Sequence, residues 1–531
     1  MLRALRNIRS LVRAGRVMAR HDALFELELA KENLPAAALA LRPFAKIRFP
    51  WERRVAAEGD MAERLSAALS ELGPSYIKLG QFLATRPDMI GPELAGDLGL
   101  LRDQLPPFDQ AKAEAIIEEQ LGAPVSDLFE TFSAPVAAAS IAQVHKAEVR
   151  DAEGNTREFA VKVLRPDVEA RFRRDLDAFF WVAEKLERFF PETRRLRPVA
   201  GVQTLATSVE LEMDLRLEAS AMSEMAENTK DDPGFRVPEV DWNRTARQVM
   251  TLEWIGAVPA SDREALIDAG HDMKALGNRV IQNFLLHATR DGFFHADMHQ
   301  GNLFVADDGT LIPVDFGIMG RLDERSRRFL AEILYGFVKR DYRRVAEVHF
   351  EAGYVPADQD IDMFAQAIRA IGEPIHGQPA ETISMANLLT LLFEVTDIFD
   401  MQTRPELLLL QKTMVVVEGN ARALNPRFNM WKASEPVVGD WIARNLGPAA
   451  VLTDAKTGLE SLGRLARSLP ELADRTEKLS LEVGEMAERG MKLAPTTVEA
   501  IGKAEARESR SGRVALWVIA LAALWIAWQV S

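Results

Sequence analysis

The chain has 531 residues, is 47% apolar, and carries 65 basic against 79 acidic side chains for a net charge of −14. That length is too great for one hydrophobic core, and the acidic balance argues against nucleic acid as a main partner. There is no cysteine, which excludes thiol catalysis, disulfides and cysteine-ligated metals and fits a reducing compartment.

The first 21 residues, MLRALRNIRSLVRAGRVMARH, hold six arginines and no acid. Leu2, Leu5, Ile8, Val12 and Val17 recur at helical spacing. Residues 1–24 are therefore expected to form a basic amphipathic helix, suited either to an anionic membrane surface or to docking on the protein itself. The segment lacks the continuous apolar core of a secretory signal. Residues 25–130 are rich in helix formers punctuated by prolines, and include Lys78-Leu79-Gly80-Gln81; they read as a helical extension.

Residues 135–144, PVAAASIAQV, have the spacing of the kinase nucleotide loop G-x-G-x-x-G-x-V with alanine at Ala137, Ala139 and Ala142, followed by Val144. Glycines there let backbone N–H groups lie close to phosphate. The candidate nucleotide contacts are Ala137, Ala138, Ala139, Ser140, Ile141, Ala142 and Val144. A methyl at Ala139 is expected to restrict positive φ and hold the backbone off the phosphates.

QVHKAEVR and TREFAVKVLR flank a turn containing Gly154-Asn155 and predict a hairpin. Phe159, Val161 and Val163 share one face and Lys162 points to the other, where it fills the place of the phosphate-holding lysine of V-A-I-K. Helix is expected to resume at Pro166. In SVELEMDLRLEASAMSEMAEN, Asp214 and Glu218 are four apart on one helical face, with Glu212 about 120° round from Glu218. Glu218 is the candidate partner of Lys162. RQVMTLEWI, residues 247–255, reads as one more strand, placing Glu253-Trp254-Ile255 as an adenine hinge. Residues 131–255 thus form a small lobe with an inserted helix.

The most informative stretch is GFFHADMHQGNLFVADDGTLIPVDFGIMG, residues 292–320. Asp297 precedes Asn302 by five residues, and Asp315-Phe316-Gly317 follows, the order of catalytic aspartate, metal-binding asparagine and DFG aspartate in kinases. A hairpin over NLFV and TLIPV, turning at Asp308-Gly309, brings Asn302 and Asp315 to one end, where two oxygen ligands can share a magnesium ion. Asp297, just before the hairpin, is placed to orient or deprotonate an acceptor. His295 and His299 read as loop-packing residues rather than metal ligands.

Residues 256–445 are expected to form a larger, mostly helical lobe, and 446–512 an amphipathic helical tail. Val514–Val530 is uncharged and follows Arg507, Arg510 and Arg513, with Trp517, Trp525 and Trp528 suited to membrane interfaces. Residues 513–531 are therefore expected to be a transmembrane anchor, at the short limit for a bilayer.

These residues resemble the UbiB family of atypical kinase-like proteins, which support ubiquinone biosynthesis. Lys78 and Gln81 match its K-x-G-Q motif, AAASIAQV its alanine-rich loop, Glu212 and Asp214 its E-x-D motif, Glu218 its lysine-pairing glutamate, and HADMHQGN and VDFG its catalytic and metal motifs. Ala142 departs from the glycine of many members. The resemblance covers roughly residues 65–330 and implies an α+β, two-lobed protein-kinase-like fold with a helical N-terminal extension and a C-terminal transmembrane helix. It implies ATP and Mg2+ as cofactors, with the K-x-G-Q and E-x-D segments folded over the site where a protein substrate would otherwise bind. Expected partners are membrane lipid, polyprenyl quinone precursors and other ubiquinone-biosynthesis proteins, at a bacterial-type inner membrane with the catalytic domain facing the cytoplasm. The implied function is that of a membrane-attached ATPase or small-molecule or lipid kinase acting around polyprenylphenol hydroxylation. A protein phosphotransferase and a nucleotide-binding scaffold are alternatives. The ring hydroxylase assignment attached to the family has little support here, since no G-x-G-x-x-G fingerprint or 2-His-1-carboxylate site occurs.

Overall fold

The computed structural model describes residues 2–21, 61–84, 105–150, 154–189, 197–377 and 405–446, with a few isolated positions between them. Contacts divide the chain into Met1–Ala443 and Arg444–Ser531. The expected tail and anchor fall in the second unit and, Leu446 apart, lie outside the described residues. Among the described residues, no helix is long and apolar enough to cross a membrane.

The N-terminal extension contains α1 (Leu2–Arg20), α2 (Met61–Leu72), α3 (Pro74–Ala84) and α4 (Gln110–Leu121). Of the two roles open to α1, docking is the one seen. Val17 and Asn7 are buried, Arg6 pairs with Asp177 at 2.6 Å, and Arg20 and His21 both reach Glu71.

The small lobe is a four-stranded antiparallel sheet, β1 (Thr131–Ala138), β2 (Ala142–Arg150), β3 (Thr156–Leu164) and β4 (Val249–Glu253), in sequence order. The predicted β2–β3 hairpin is present, with Val144 opposite Lys162 and Lys162 in turn opposite Met250. Alternation decides its faces. Val161, Val163, Ala147 and Val249 pack with Ala113 and Ile117 of α4 and with Phe129, each fully buried large side chain contributing about 1.5–3 kcal/mol over exposure. Lys162 is left on the opposite face.

That face is covered from the insertion between β3 and β4, which holds α5 (Val168–Phe189), α6 (Pro198–Glu212) and α7 (Leu215–Thr229). Two local expectations fail here. Pro166 does not start α5; Arg165–Asp167 form a turn, with Asp167 at φ 57° and the Val168 N–H donating to the Arg165 carbonyl at 3.3 Å. Nor do Asp214 and Glu218 share a helical face, because the helix breaks at Met213-Asp214. Asp214 is the N-cap of α7, accepting from the Arg216 N–H, as a short acidic side chain at a helix start is suited to do.

The large lobe begins with β5 (Val258–Pro259), then α8 (Met273–Leu286), β6 (Phe293–His295), β7 (Leu303–Val305), β8 (Leu311–Pro313) and β9 (Met319–Arg321). The predicted hairpin is β7–β8, with Leu303 opposite Pro313, and β5 pairs with β7. β6 pairs with β9, so His295 lies opposite Met319. Helices α9 (Glu324–Lys339), α10 (Tyr342–Glu351), α11 (Ile361–Gly377), α12 (Pro405–Leu424) and α13 (Met430–Asn445) follow. α12 lies close on α8. A methyl at Gly277 would sit 3.0 Å from the Ala421 carbonyl oxygen, a contact with no slack for a side chain.

Candidate active site

The site is built where the insertion, the sheet and the β7–β8 hairpin converge. Lys162 Nζ donates to both oxygens of Glu218, at 2.7 and 2.9 Å, and reaches Asp315 at 3.5 Å. The side chains of Lys162 and Glu218 are nearly buried, at 12% and 8% exposure, while Asp315 is 44% exposed. Burial alone would lower the Lys162 pKa, but the charges of Asp315 and Glu218 outweigh it and hold the amine above the ordinary lysine range. Desolvation works against ionisation of Asp315, yet the Lys162 charge and the Gly317 N–H, at 3.0 Å, hold it below the ordinary carboxylate range. Burial raises Glu218, and the Lys162 charge only partly offsets this.

The carbonyl of Asn302 accepts from the Val314 N–H at 3.0 Å, so Asn302 and Asp315 do lie at the same end of the hairpin. Asn302 Nδ2 donates to the Asp297 carbonyl at 3.3 Å, joining the loop to the strand. His295 locks the two aspartates together. Its Nδ1 accepts the Asp297 N–H at 3.2 Å, so Nε2 carries the proton and donates to the Asp315 carbonyl. Burial holds this imidazole below its ordinary pKa, in keeping with the neutral tautomer. His299 accepts the Gly301 N–H through Nδ1 at 3.1 Å. His295 is buried and packs the loop, whereas His299 is exposed and caps the turn at Gln300–Asn302.

The K-x-G-Q and E-x-D motifs meet across the same cleft. Lys78, on α3, pairs with Glu212, at the end of α6, at 2.7 Å, and both side chains are nearly buried. The Lys78 charge also helps to hold the Asp315 pKa down. Gln81 is half-buried one turn further along α3. Asp214 is not in this pair; it turns to Arg216 at 2.7 Å.

The alanine segment closes one edge. Ala137 and Ala138 end β1, Ala139, Ser140 and Ile141 make the turn, and Ala142 and Val144 begin β2. None of these residues has a positive φ, so the methyl groups are accommodated without strain. The restraint comes instead from Arg165, whose guanidinium donates to the Ala139 carbonyl at 3.0 and 2.8 Å and to the Pro106 carbonyl at 2.9 Å. The Ala139 N–H is itself bound to the Ala142 carbonyl at 2.8 Å.

At the hinge position, the Glu253 and Trp254 N–H groups are spent on the carbonyls of Glu239 and Glu158. The Glu253 side chain pairs with Arg236 at 2.6 Å, and Ile255 is half-buried beyond the strand end.

The contribution of α12 has no counterpart among the sequence motifs. The buried Thr413 hydroxyl lies 3.0 Å from the Ala296 carbonyl and 2.8 Å from that of Leu409. Asn420 donates to the Met298 carbonyl, and Lys412 Nζ is 3.9 Å from Asp297 Oδ1. Polar residues on a helical run so far from the loop in sequence carry no local sign of that contact.

A sheet-and-helix lobe carrying a buried lysine–glutamate pair, set over a lobe with a catalytic-type loop and a DFG turn, defines an atypical kinase-like domain. Residues 100–349 match the model of the ABC1 atypical kinase-like domain, and residues 368–429 match the UbiB helical domain. The chain is 38% identical to the probable protein kinase UbiB of Pseudomonas putida F1, over 91% of this chain and 89% of that one. It is 39% identical to the Azotobacter vinelandii protein of the same name, over 87% and 85%. It is also similar to a Mycobacterium tuberculosis protein, Rv3197, solved with erythromycin, at TM-score 0.50 and 25% identity, over 71% of this chain and 95% of that one. The chain belongs to the UbiB family of atypical kinases, implicated in ubiquinone biosynthesis.

Proposed function

We propose that the protein is a magnesium-dependent ATP-binding enzyme that hydrolyses ATP or transfers its γ-phosphoryl group to a small molecule or lipid in support of ubiquinone synthesis. The observation that carries this is Lys162 held between Glu218 and Asp315 at 2.7 and 3.5 Å, beside the hairpin end that bears Asn302. A scaffold without chemistry would not need this set together with Asp297.

Asn302 and Asp315 would hold the magnesium ion, which would neutralise phosphate charge. One carboxylate and one amide are oxygen donors of the kind magnesium takes, the rest of its shell coming from water and phosphate oxygens. Lys162 binds the α- and β-phosphates, and Glu218 keeps its amine aimed into the cleft. Asp297 accepts the acceptor's proton. The Lys78–Glu212 pair supports the view that a bulky protein acceptor is disfavoured, because it occupies the cleft with a nearly buried ion pair. A protein phosphotransferase remains the second reading, supported by the names of the relatives. We assign the protein to a bacterial-type inner membrane, catalytic lobes towards the cytoplasm, acting with polyprenyl quinone precursors and other proteins of that pathway. The apolar segment 513–531 and the arginines before it support this assignment.

The test is phosphate release by the purified full chain, with and without anionic vesicles and a phenolic quinone precursor. Release stimulated by both is expected. Phosphorylation of added proteins, with no release and no response to vesicles, would favour the second reading.

A further inference from the structure

We infer that Lys412 is a further catalytic residue, an ammonium brought by α12 to the phosphoryl group being transferred; this rests on the phosphoryl-transfer reading above. A transferring phosphoryl group needs cationic or hydrogen-bonding groups where its charge lies. The loop from Asp297 to Asn302, Asp-Met-His-Gln-Gly-Asn, supplies no lysine or arginine. Lys162 serves the α- and β-phosphates in that reading, held there by Glu218 and Asp315, and Lys78 is paired with Glu212. Lys412 is the amine that stands at Asp297 itself.

The geometry suits a contact made to substrate. Nζ lies 3.9 Å from Asp297 Oδ1, and the two side chains are 39% and 32% exposed. This is longer than a hydrogen bond, so Asp297 does not take up the amine's donors, and they can turn to a phosphoryl oxygen beside the carboxylate that receives the acceptor proton. The backbone beneath it is held firmly. Thr413, the next residue, is 0% exposed with its hydroxyl against the Ala296 carbonyl, and Asn420, 5% exposed, donates to the Met298 carbonyl. Both contacts are to the loop that carries Asp297, so Lys412 is set against the reacting groups by the same helix that braces them.

In the step itself, the bond from the γ-phosphorus to the ADP oxygen breaks as the acceptor oxygen bonds to phosphorus. The acceptor's proton passes to Asp297, and the electron pair of the broken bond leaves with ADP. Lys412 holds the charge on the non-bridging γ-oxygens throughout, and nothing is oxidised or reduced.

The experiment compares the full chain with Lys412→Gln and Lys412→Arg, measuring magnesium-dependent ATP and ADP affinities by calorimetry, turnover by phosphate release, and unfolding temperature. Lys412→Gln is expected to leave ADP affinity and unfolding temperature unchanged, weaken ATP about tenfold, and lower kcat about 10²-fold. Lys412→Arg should recover a substantial part of both losses, since charge is kept. Equal ATP and ADP affinities in wild type and Lys412→Gln, with kcat unchanged, would overturn the proposal alone. So would a Lys412→Gln that loses ADP binding and thermal stability together, the mark of a structural role. A wild type that binds neither nucleotide would overturn the phosphoryl-transfer reading and Lys412's role with it; one that binds both without turnover still tests Lys412 through the ATP–ADP difference.

Discussion

Removing either end of the Lys162–Glu218 pair should have unequal consequences, because the pair is not closed. Asp315 stands 3.5 Å from the amine and Glu218 at 2.7 Å. Glu218→Gln leaves Lys162 buried but with one counter-ion in reach, and a glutamine oxygen can still accept the Phe316 N–H that Glu218 accepts at 3.4 Å. Its cost should be about 1–2 kcal/mol, below the 3–5 kcal/mol of a buried charge left wholly unpaired. The amine should then swing to Asp315 and compete there with magnesium, so Mg·ATP affinity should fall further than stability does. Lys162→Met leaves two carboxylates facing each other, and should cost about 3 kcal/mol at neutral pH. Glu218 already has a raised pKa from burial, and losing the lysine raises it further. A raised folded-state pKa contributes stability below the unfolded value that is lost as pH rises through the folded value. The deficit of Lys162→Met against wild type should therefore shrink on acidification, while that of Glu218→Gln should not. Urea unfolding of the ligand-free proteins at two pH values reads all four quantities. Two variants each within about 0.5 kcal/mol of wild type at both pH values would refute a buried, energetically coupled pair.

Arg165→Ala should free the alanine turn; hydrogen exchange at residues 137–142 should accelerate and stability fall by about 1.5–3 kcal/mol, and unchanged exchange would show that Arg165 does not restrain it. Ala139→Gly alone should cost up to about 1 kcal/mol and change ATP affinity little, since the carbonyl stays pinned. A gain in affinity of more than about threefold in calorimetry would place the restraint in the methyl group instead. Four imidazoles, His145, His287, His295 and His349, are held by burial below the ordinary value of 6.5. The stability they contribute is present above that value and lost as pH falls below it, so the urea midpoint should drop between about pH 7.5 and about pH 5.5. A midpoint that rises on acidification would contradict this.

Much of the site could be read locally because period-two alternation and turn residues place it: Lys162 follows from the pattern of β3, and Asn302 with Asp315 from a hairpin whose turn is Asp308-Gly309. Glu218 is legible as Lys162's partner even though the helix expected to run from Asp214 through it breaks at Asp214. An aspartate just before a helical run is an N-cap signal, and Asp214 carried that signal. The Arg165–Asp167 turn was hidden by a proline, which suits a turn as well as a first helical residue. The remaining parts join residues far apart in the chain. Lys78 and Glu212, Arg165 and Ala139, and Thr413 and Ala296 are paired by packing of whole elements, for which no single stretch of sequence gives a sign.

The central claim is that Asp315 holds metal and Asp297 serves the acceptor, and Mg2+-dependent ATP binding in Asp315→Asn and Asp297→Asn tests it most directly. Calorimetry with and without magnesium should show Asp315→Asn losing the magnesium-dependent part of its ATP affinity. Asp297→Asn should bind ATP within about threefold of wild type while its phosphate release falls by about 10²-fold or more. Equal loss of ATP affinity in the two variants, or turnover surviving in Asp297→Asn, would contradict the division of roles.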